Sequence, residues 1–142
     1  MKRTLLIFFV LLLGASVAMA DNVVPVATNR LPYKAQQALK TYWPNAAVMS
    51  AMKKTAGKNI DYKVSLEDGT VIRFDAQGNW RQIKCYTGLP DKVMPDAMRR
   101  HIKTYYDGQY PVEINKGKKK YRIQLNQGMY LEYDLKGNFL RF

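Results

Sequence analysis

Residues 62–83, YKVSLEDGTVIRFDAQGNWRQI, recur as residues 121–142, YRIQLNQGMYLEYDLKGNFLRF, at an offset of 59 and without a gap. Six positions are identical, and most of the rest exchange like for like, as in Val64/Ile123, Ile72/Leu131, Phe74/Tyr133 and Trp80/Phe139. An internal repeat constrains the architecture before any single residue is read. It also points away from catalysis. A duplicated β unit supplies a surface, whereas an active site usually needs residues that differ between copies.

The hairpins inside the repeat can be registered. Leu66-Glu67-Asp68-Gly69 reads as a type I turn closed by a left-handed glycine. That turn sets Val64 opposite Ile72 and Tyr62 opposite Phe74, and in the second copy Ile123 opposite Leu131 and Tyr121 opposite Tyr133. One face is then apolar in both copies, as a consistent register requires. The other face sets Lys63 against Arg73 and Arg122 against Glu132. For the next turn, a four-residue loop at Leu135-Lys136-Gly137-Asn138 pairs Tyr133 with Leu140, Leu131 with Phe142 and Glu132 with Arg141. This choice sends Trp80 and Phe139 to the polar face and leaves Arg81 on the apolar side.

Working outward, Leu31-Pro32 opens a helix whose apolar stripe is Ala35, Ala38, Leu39 and Tyr42, and Pro44 stops it. Ala47 to Lys53 reads as a strand, followed by a basic loop holding Lys53, Lys54 and Lys58. The second half retraces this order. Leu89-Pro90 matches Leu31-Pro32, and Met94, Met98, Ile102 and Tyr105 supply a second stripe. Pro95 either begins that helix or kinks it, and Gly108 caps it. Tyr110 to Asn115 is a strand, and Lys116, Lys118 and Lys119 form the matching basic loop. The expected fold is α+β: a tandem repeat of helix plus four antiparallel strands (31–86 and 89–142) in one domain. It gives a sheet of about eight strands with two helices on one face and the other face open.

The ends and the composition set the setting. Residues 1–20 read as a signal peptide, with basic Lys2 and Arg3, an apolar run from Leu5 to Leu13 and cleavage after Ala18-Met19-Ala20. Residues 21–30 read as a mobile tail. Loss of Lys2 and Arg3 lowers the formal charge from +12 to +10, so the exported chain should be drawn to anionic partners. Nucleic acid fits the charge but not the compartment. Cys85 is the single cysteine, so no internal disulfide is available, and it reads as a small strand hydrophobe.

Groups able to do chemistry are few. His101 lies in the basic run Arg99-Arg100-His101-Ile102-Lys103, where a solvated helix face is the simple reading. A Cys85–His101 nucleophile pair would lack an orienting third residue. Asp75 and Asp134 are equivalent in the repeat, and each precedes a glycine by three residues. Capping of a turn explains them better than acid–base work. No cluster has metal-ligand spacing, and neither a metal nor a cofactor is expected.

The open face is the candidate site. It carries Lys63, Arg73, Arg122 and Arg141, with Trp80, Tyr130 and Phe139 among them. Arginine and aromatic side chains are the usual anchors of protein interfaces. Lys53, Lys54 and Lys58, with Lys116, Lys118 and Lys119, form a second candidate, an anion-attracting edge. A merely solvated basic surface competes with both readings.

The pattern Leu-Pro, helix, Tyr-x-Val-x-Leu-x-x-Gly, Phe-Asp-x-x-Gly-x-Trp, present twice, resembles the PepSY-like, β-lactamase-inhibitor-protein-like family of small exported bacterial proteins. Its residues are Leu31, Pro32, Tyr62, Val64, Leu66, Gly69, Phe74, Asp75, Gly78 and Trp80, with Leu89, Pro90, Tyr121, Ile123, Leu125, Gly128, Tyr133, Asp134, Gly137 and Phe139. The resemblance implies the same tandem fold, a periplasmic or secreted location and no catalytic role. In the namesake inhibitors a concave sheet face grips the enzyme, so inhibition of a β-lactamase here would be analogy. None of the motif residues is a catalytic or ligand residue of the family. The expectation is a non-enzymatic exported binding protein whose open face recognises an acidic protein partner, including as an inhibitor. The alternative is charge-driven binding to anionic envelope polymer or lipid head groups.

Overall fold

The computed structural model describes residues 21–142. The signal-peptide assignment therefore lies outside the described residues. Nine strands form one antiparallel sheet in strict chain order, a meander interrupted twice by helices. They are β1 (Asn22–Pro25), β2 (Val48–Ala56), β3 (Asn59–Leu66), β4 (Val71–Phe74), β5 (Trp80–Lys84), β6 (Pro111–Lys116), β7 (Lys120–Leu125), β8 (Tyr130–Asp134) and β9 (Phe139–Arg141). Helix α1 (Tyr33–Tyr42) lies between β1 and β2, and α2 (Asp96–Tyr105) lies between β5 and β6. The fold is α+β, with both helices on one side of the sheet.

Period-two alternation explains the layering. Val64, Leu66, Ile72, Phe74, Ile83, Ile114, Ile123, Leu125, Leu131 and Tyr133 are all buried and share a core with Ala35 and Leu39 of α1 and Met98 and Ile102 of α2. The intervening residues face away from the helices. The expected register holds where the two copies are most alike. Tyr62 pairs with Phe74, Lys63 with Arg73 and Val64 with Ile72, and likewise Tyr121 with Tyr133, Arg122 with Glu132 and Ile123 with Leu131.

Four expectations are corrected. The sheet has a ninth strand, because residues 22–25 do not dangle: Val24 pairs with Lys53 and Pro25 with Met52. A proline is tolerated there because β1 is an edge strand. The tail then turns through a 3-10 segment at Thr28–Arg30 into α1. Second, Lys53 and Lys54 are not in a loop. β2 runs on to Ala56, and only Gly57 and Lys58 form the turn. Third, the counterpart of Leu31-Pro32 is Met94-Pro95, not Leu89-Pro90. A 3-10 segment at Asp91–Val93 precedes Met94, and Pro95 caps α2 as Pro32 caps α1. Pro95 therefore begins the helix and does not kink it.

The fourth correction concerns the turns after β4 and β8. Phe74 pairs with Trp80 and Tyr133 with Phe139, while Arg73 still pairs with Gln82 and Glu132 with Arg141. Arg81 and Leu140 are thus bulged residues without a partner across the ladder. The extra residue returns Trp80 and Phe139 to the helix side, so neither lies on the open face. Arg81 does not enter the core either; it reaches Asp75 at 2.9 Å.

Both turns preceding these bulges are built alike. Asp75 Oδ1 accepts the N–H groups of Gln77 (3.0 Å) and Asn79 (2.9 Å), and Asp134 Oδ1 accepts those of Lys136 (2.9 Å) and Asn138 (2.9 Å). Each turn carries a glycine in the left-handed region, Gly78 at φ +89° and Gly137 at φ +92°. These glycines press against the starts of the helices. A Cβ at Gly78 would lie 2.8 Å from the Ala35 nitrogen, and one at Gly137 would lie 2.9 Å from Pro95 Cβ. Asp-x-x-Gly-Asn therefore reads as a docking turn, in which the aspartate folds the chain and the glycine admits the helix.

Candidate binding face

The face away from the helices carries one unbroken row of side chains across all nine strands: Pro25, Met52, Lys63, Arg73, Gln82, Asn115, Arg122, Glu132 and Arg141, each opposite the next. A neighbouring row runs Ser50, Ser65, Val71, Lys84, Glu113, Gln124 and Tyr130. Of the candidate residues, Lys63, Arg73, Arg122, Tyr130 and Arg141 share this face.

The two halves of the face differ in their electrostatics. In the second half Glu132 is the organiser. Its carboxylate accepts from Lys120 Nζ at 2.9 Å and pairs with Arg141 Nε at 3.0 Å. The hydrogen bond from Lys120 holds Glu132 below the usual carboxylate range, and the charges of Lys120, Arg141 and Arg122 add to it. The Arg122 guanidinium lies 4.3 Å from the centre of the Tyr130 ring. In the middle, Glu113 accepts from Gln82 Nε2 (3.0 Å) and Asn115 Nδ2 (2.9 Å).

The first half has no such organiser. Arg73 stands where the second copy has Glu132, and Val71 where it has Tyr130. Lys63 therefore faces a like charge and has no ring beside it. Among the described residues neither Lys63 nor Arg73 forms an ion pair. Directly opposed like charges on neighbouring strands destabilise the sheet.

The remaining candidates divide. Lys54 lies on the open face and pairs with Asp21 at 3.0 Å. Lys53, one residue earlier, points to the helix side opposite Tyr62. Lys58, Lys118 and Lys119 are exposed in turns at the same end of the sheet. Lys116 lies on the helix side, its ammonium 5.5 Å from the centre of the Trp80 ring and 5.7 Å from that of Tyr121. The six lysines thus do not make one patch, and the expected edge keeps only Lys58, Lys118 and Lys119. Sequence reasoning placed Gln82 on this face but missed Met52, Glu113 and Asn115. Their period-two spacing carried the signal, but β2 and β6 lie outside the repeated 22-residue segment that fixed the register.

The groups able to do chemistry are occupied elsewhere. Cys85 is buried and receives the Thr70 hydroxyl at 3.2 Å. His101 Nδ1 meets Tyr133 Oη at 2.9 Å, and its ring stacks on Phe139. Asp75 and Asp134 spend their oxygens on the docking turns. Among the described residues no three His, Cys, Asp or Glu side chains converge as a metal site, and no helix is long and apolar enough to cross a membrane.

Comparison with solved structures returns the same architecture. A periplasmic-protein structure of the DUF2874 family from Bacteroides vulgatus is 30% identical, with a TM-score of 0.78 over 85% of this chain and 96% of that one. A "putative calcium-regulated periplasmic protein" from Bacteroides thetaiotaomicron is 27% identical, with a TM-score of 0.79 over 83% of this chain and 94% of that one. A second Bacteroides vulgatus structure, described as periplasmic and of unknown function, is 27% identical, with a TM-score of 0.78 over 86% and 98%. No curated protein matches. The family model described as "Putative beta-lactamase-inhibitor-like, PepSY-like" matches residues 60–141, more than half of the sequence, and the chain belongs to that PepSY-like family.

Proposed function

We propose that this is an exported, non-catalytic binding protein of the periplasm whose open sheet face receives an acidic protein surface. The observation that carries this reading is the Lys63–Arg73 pair. Two cations lie side by side in the row that crosses the sheet, and among the described residues neither is paired with an acid. A carboxylate from a partner would relieve their repulsion and gain two charge-assisted contacts. The periplasmic description of the three relatives supports the location, and the inhibitor-like family supports binding over catalysis.

The test is cross-linking capture from envelope extract with the parent protein and with Lys63→Ala/Arg73→Ala. Capture lost in the double variant, with its circular dichroism unchanged, supports the face. Capture that survives in a folded double variant rules it out.

A second reading is binding to anionic lipid or polymer through Lys58, Lys118 and Lys119. It is favoured by their shared exposure at one end of the sheet. Vesicles of anionic phospholipid would then bind in low salt and release in high salt, and Lys118→Gln/Lys119→Gln would weaken that binding while leaving protein capture intact.

A further inference from the structure

The helix side holds a groove that the second half of the molecule fills and the first half leaves open. Helices α1 and α2 have the same length, ten residues, and each runs from a proline cap (Pro32, Pro95) to an aromatic C-cap (Trp43, Tyr106). Aligned on those ends, Ala38 of α1 corresponds to His101 of α2. The strand partners correspond too, since Trp80 pairs with Phe74 as Phe139 pairs with Tyr133.

In the second half the His101 imidazole lies on the Phe139 ring, with centroids 4.4 Å apart and planes 18° from parallel. Tyr133 Oη anchors the imidazole at Nδ1, 2.9 Å away. In the first half Ala38 offers only a methyl group. Over Trp80 there remains a groove of about 290 Å³, lined by Lys34, Ala38, Thr41, Tyr42, Trp80 and Lys116 among others. A cavity of roughly 150 Å³ already holds a benzene ring.

The lining defines the occupant. Trp80 is braced from below by Tyr121, with ring centroids 6.3 Å apart and planes at 29°. Tyr121 fixes the indole, and the Lys116 ammonium stands 5.5 Å from its centre, so a flat ring laid on Trp80 would bring its anionic group within reach of that cation. Phe74 stands where the second half has Tyr133, so the phenol that holds the His101 nitrogen has no counterpart here, and the uncharged polar groups of the lining are those of Gln37, Thr41, Tyr42 and Asn79. The rim carries the ammonium groups of Lys34 and Lys116; among the described residues neither forms an ion pair and no acid lines the groove. We propose that this groove is a binding site for an aromatic ring bearing an anionic group, an aryl carboxylate, with the ring stacked on Trp80 and the carboxylate at Lys34 and Lys116.

The experiment follows the Trp80 indole N–H signal in two-dimensional NMR while phenylacetate is added, with acetate and phenylacetamide as controls. The expected result is a saturable shift with phenylacetate at a dissociation constant of roughly 1 mM or below, as suits a ligand of about ten heavy atoms. Phenylacetamide, and phenylacetate with Lys116→Gln, should bind about threefold to fivefold more weakly, the worth of a rim charge pair. Ala38→His installs the imidazole that the second half already carries, so the variant should keep its fold and lose the shift. The proposal is overturned by the absence of saturation, by acetate acting as well as phenylacetate, or by folded Ala38→His binding undiminished. Should Ala38→His not fold, undiminished binding by Lys116→Gln overturns it equally.

Discussion

Lys63 and Arg73 stand directly opposite each other on β3 and β4, where the second copy sets Arg122 against Glu132. The first copy thus keeps a repulsion that the second has replaced by attraction. Arg73→Glu should remove it. We expect the variant to be more stable than the parent by about 0.5–1 kcal/mol, read as a higher urea midpoint with unchanged slope. The same variant should lose capture of an acidic partner. A gain in stability with loss of binding is the signature of a site kept for function. A loss in stability would show that the pair is not strained.

Much of the fold was legible because the two copies cross-check each other. Within Tyr62–Phe74 and Tyr121–Tyr133 a slip of one residue would put Lys63 and Arg122 into the core, so only one register is compatible with both copies. The bulges were not legible. Inserting Arg81 or Leu140 changes which face Trp80 and Phe139 occupy, and an aromatic residue suits either face of a strand. The only local hint was Arg81, an arginine on a supposedly apolar side, and it marked the bulge in the first copy. β1 was hidden for a different reason. Four residues with a proline at the end carry no alternation worth reading, and their strand character comes from pairing with β2. The start of α2 was misplaced because Leu89-Pro90 imitates Leu31-Pro32 in sequence, while the 3-10 segment Asp91–Val93 moves the true cap to Pro95. The face residues of the repeat were therefore found, Tyr130 among them, and Trp80 and Phe139 were assigned to the wrong side.

Gly78 and Gly137 should be intolerant of any side chain. Each combines a left-handed backbone with a Cβ position under 3.0 Å from the start of a helix. Gly78→Ala must shift backbone at Ala35, whereas Gly137→Ala meets side-chain carbons of Pro95, Ala97 and Met98. We expect both to lose about 2 kcal/mol or more, with Gly78→Ala the worse. Gly69→Ala has the same sign of φ but open space around it, so it should pay only the backbone cost of about 1 kcal/mol. Denaturant titration of the three variants separates strain from clash.

Acid should loosen the docking turns. Burial raises the Asp75 carboxyl, but the Asn79 N–H, the Asn79 side chain and Arg81 outweigh it and hold the group below its usual range. The Asn138 side chain and backbone do the same for Asp134. A carboxylate whose folded value is depressed gives stability that is fully present above the ordinary carboxylate range and is lost as pH falls through the folded value. Stability should therefore decline below about pH 4. Asp75→Asn should cost about 1 kcal/mol near neutrality and progressively less in acid, where the parent has lost the same contribution. Equal differences at both pH values would show that the charge of Asp75 contributes nothing beyond its shape.

Base should act through Tyr133. Its ring is fully buried, and burial pushes the phenol well above its ordinary value, with Tyr106 adding to the shift. For an acid whose folded value is raised, stability is complete below the unfolded value and falls as pH rises beyond it. The decline should begin near pH 10, the ordinary tyrosine range. Tyr133→Phe copies Phe74 of the first half, so the ring itself should fit. The variant forfeits the hydrogen bond to His101 and should be weaker by about 1 kcal/mol at neutral pH. Above pH 10 the gap should close, because the variant has no phenol there to ionise on unfolding. Parallel alkaline profiles for the parent and Tyr133→Phe would assign the limb to other tyrosines.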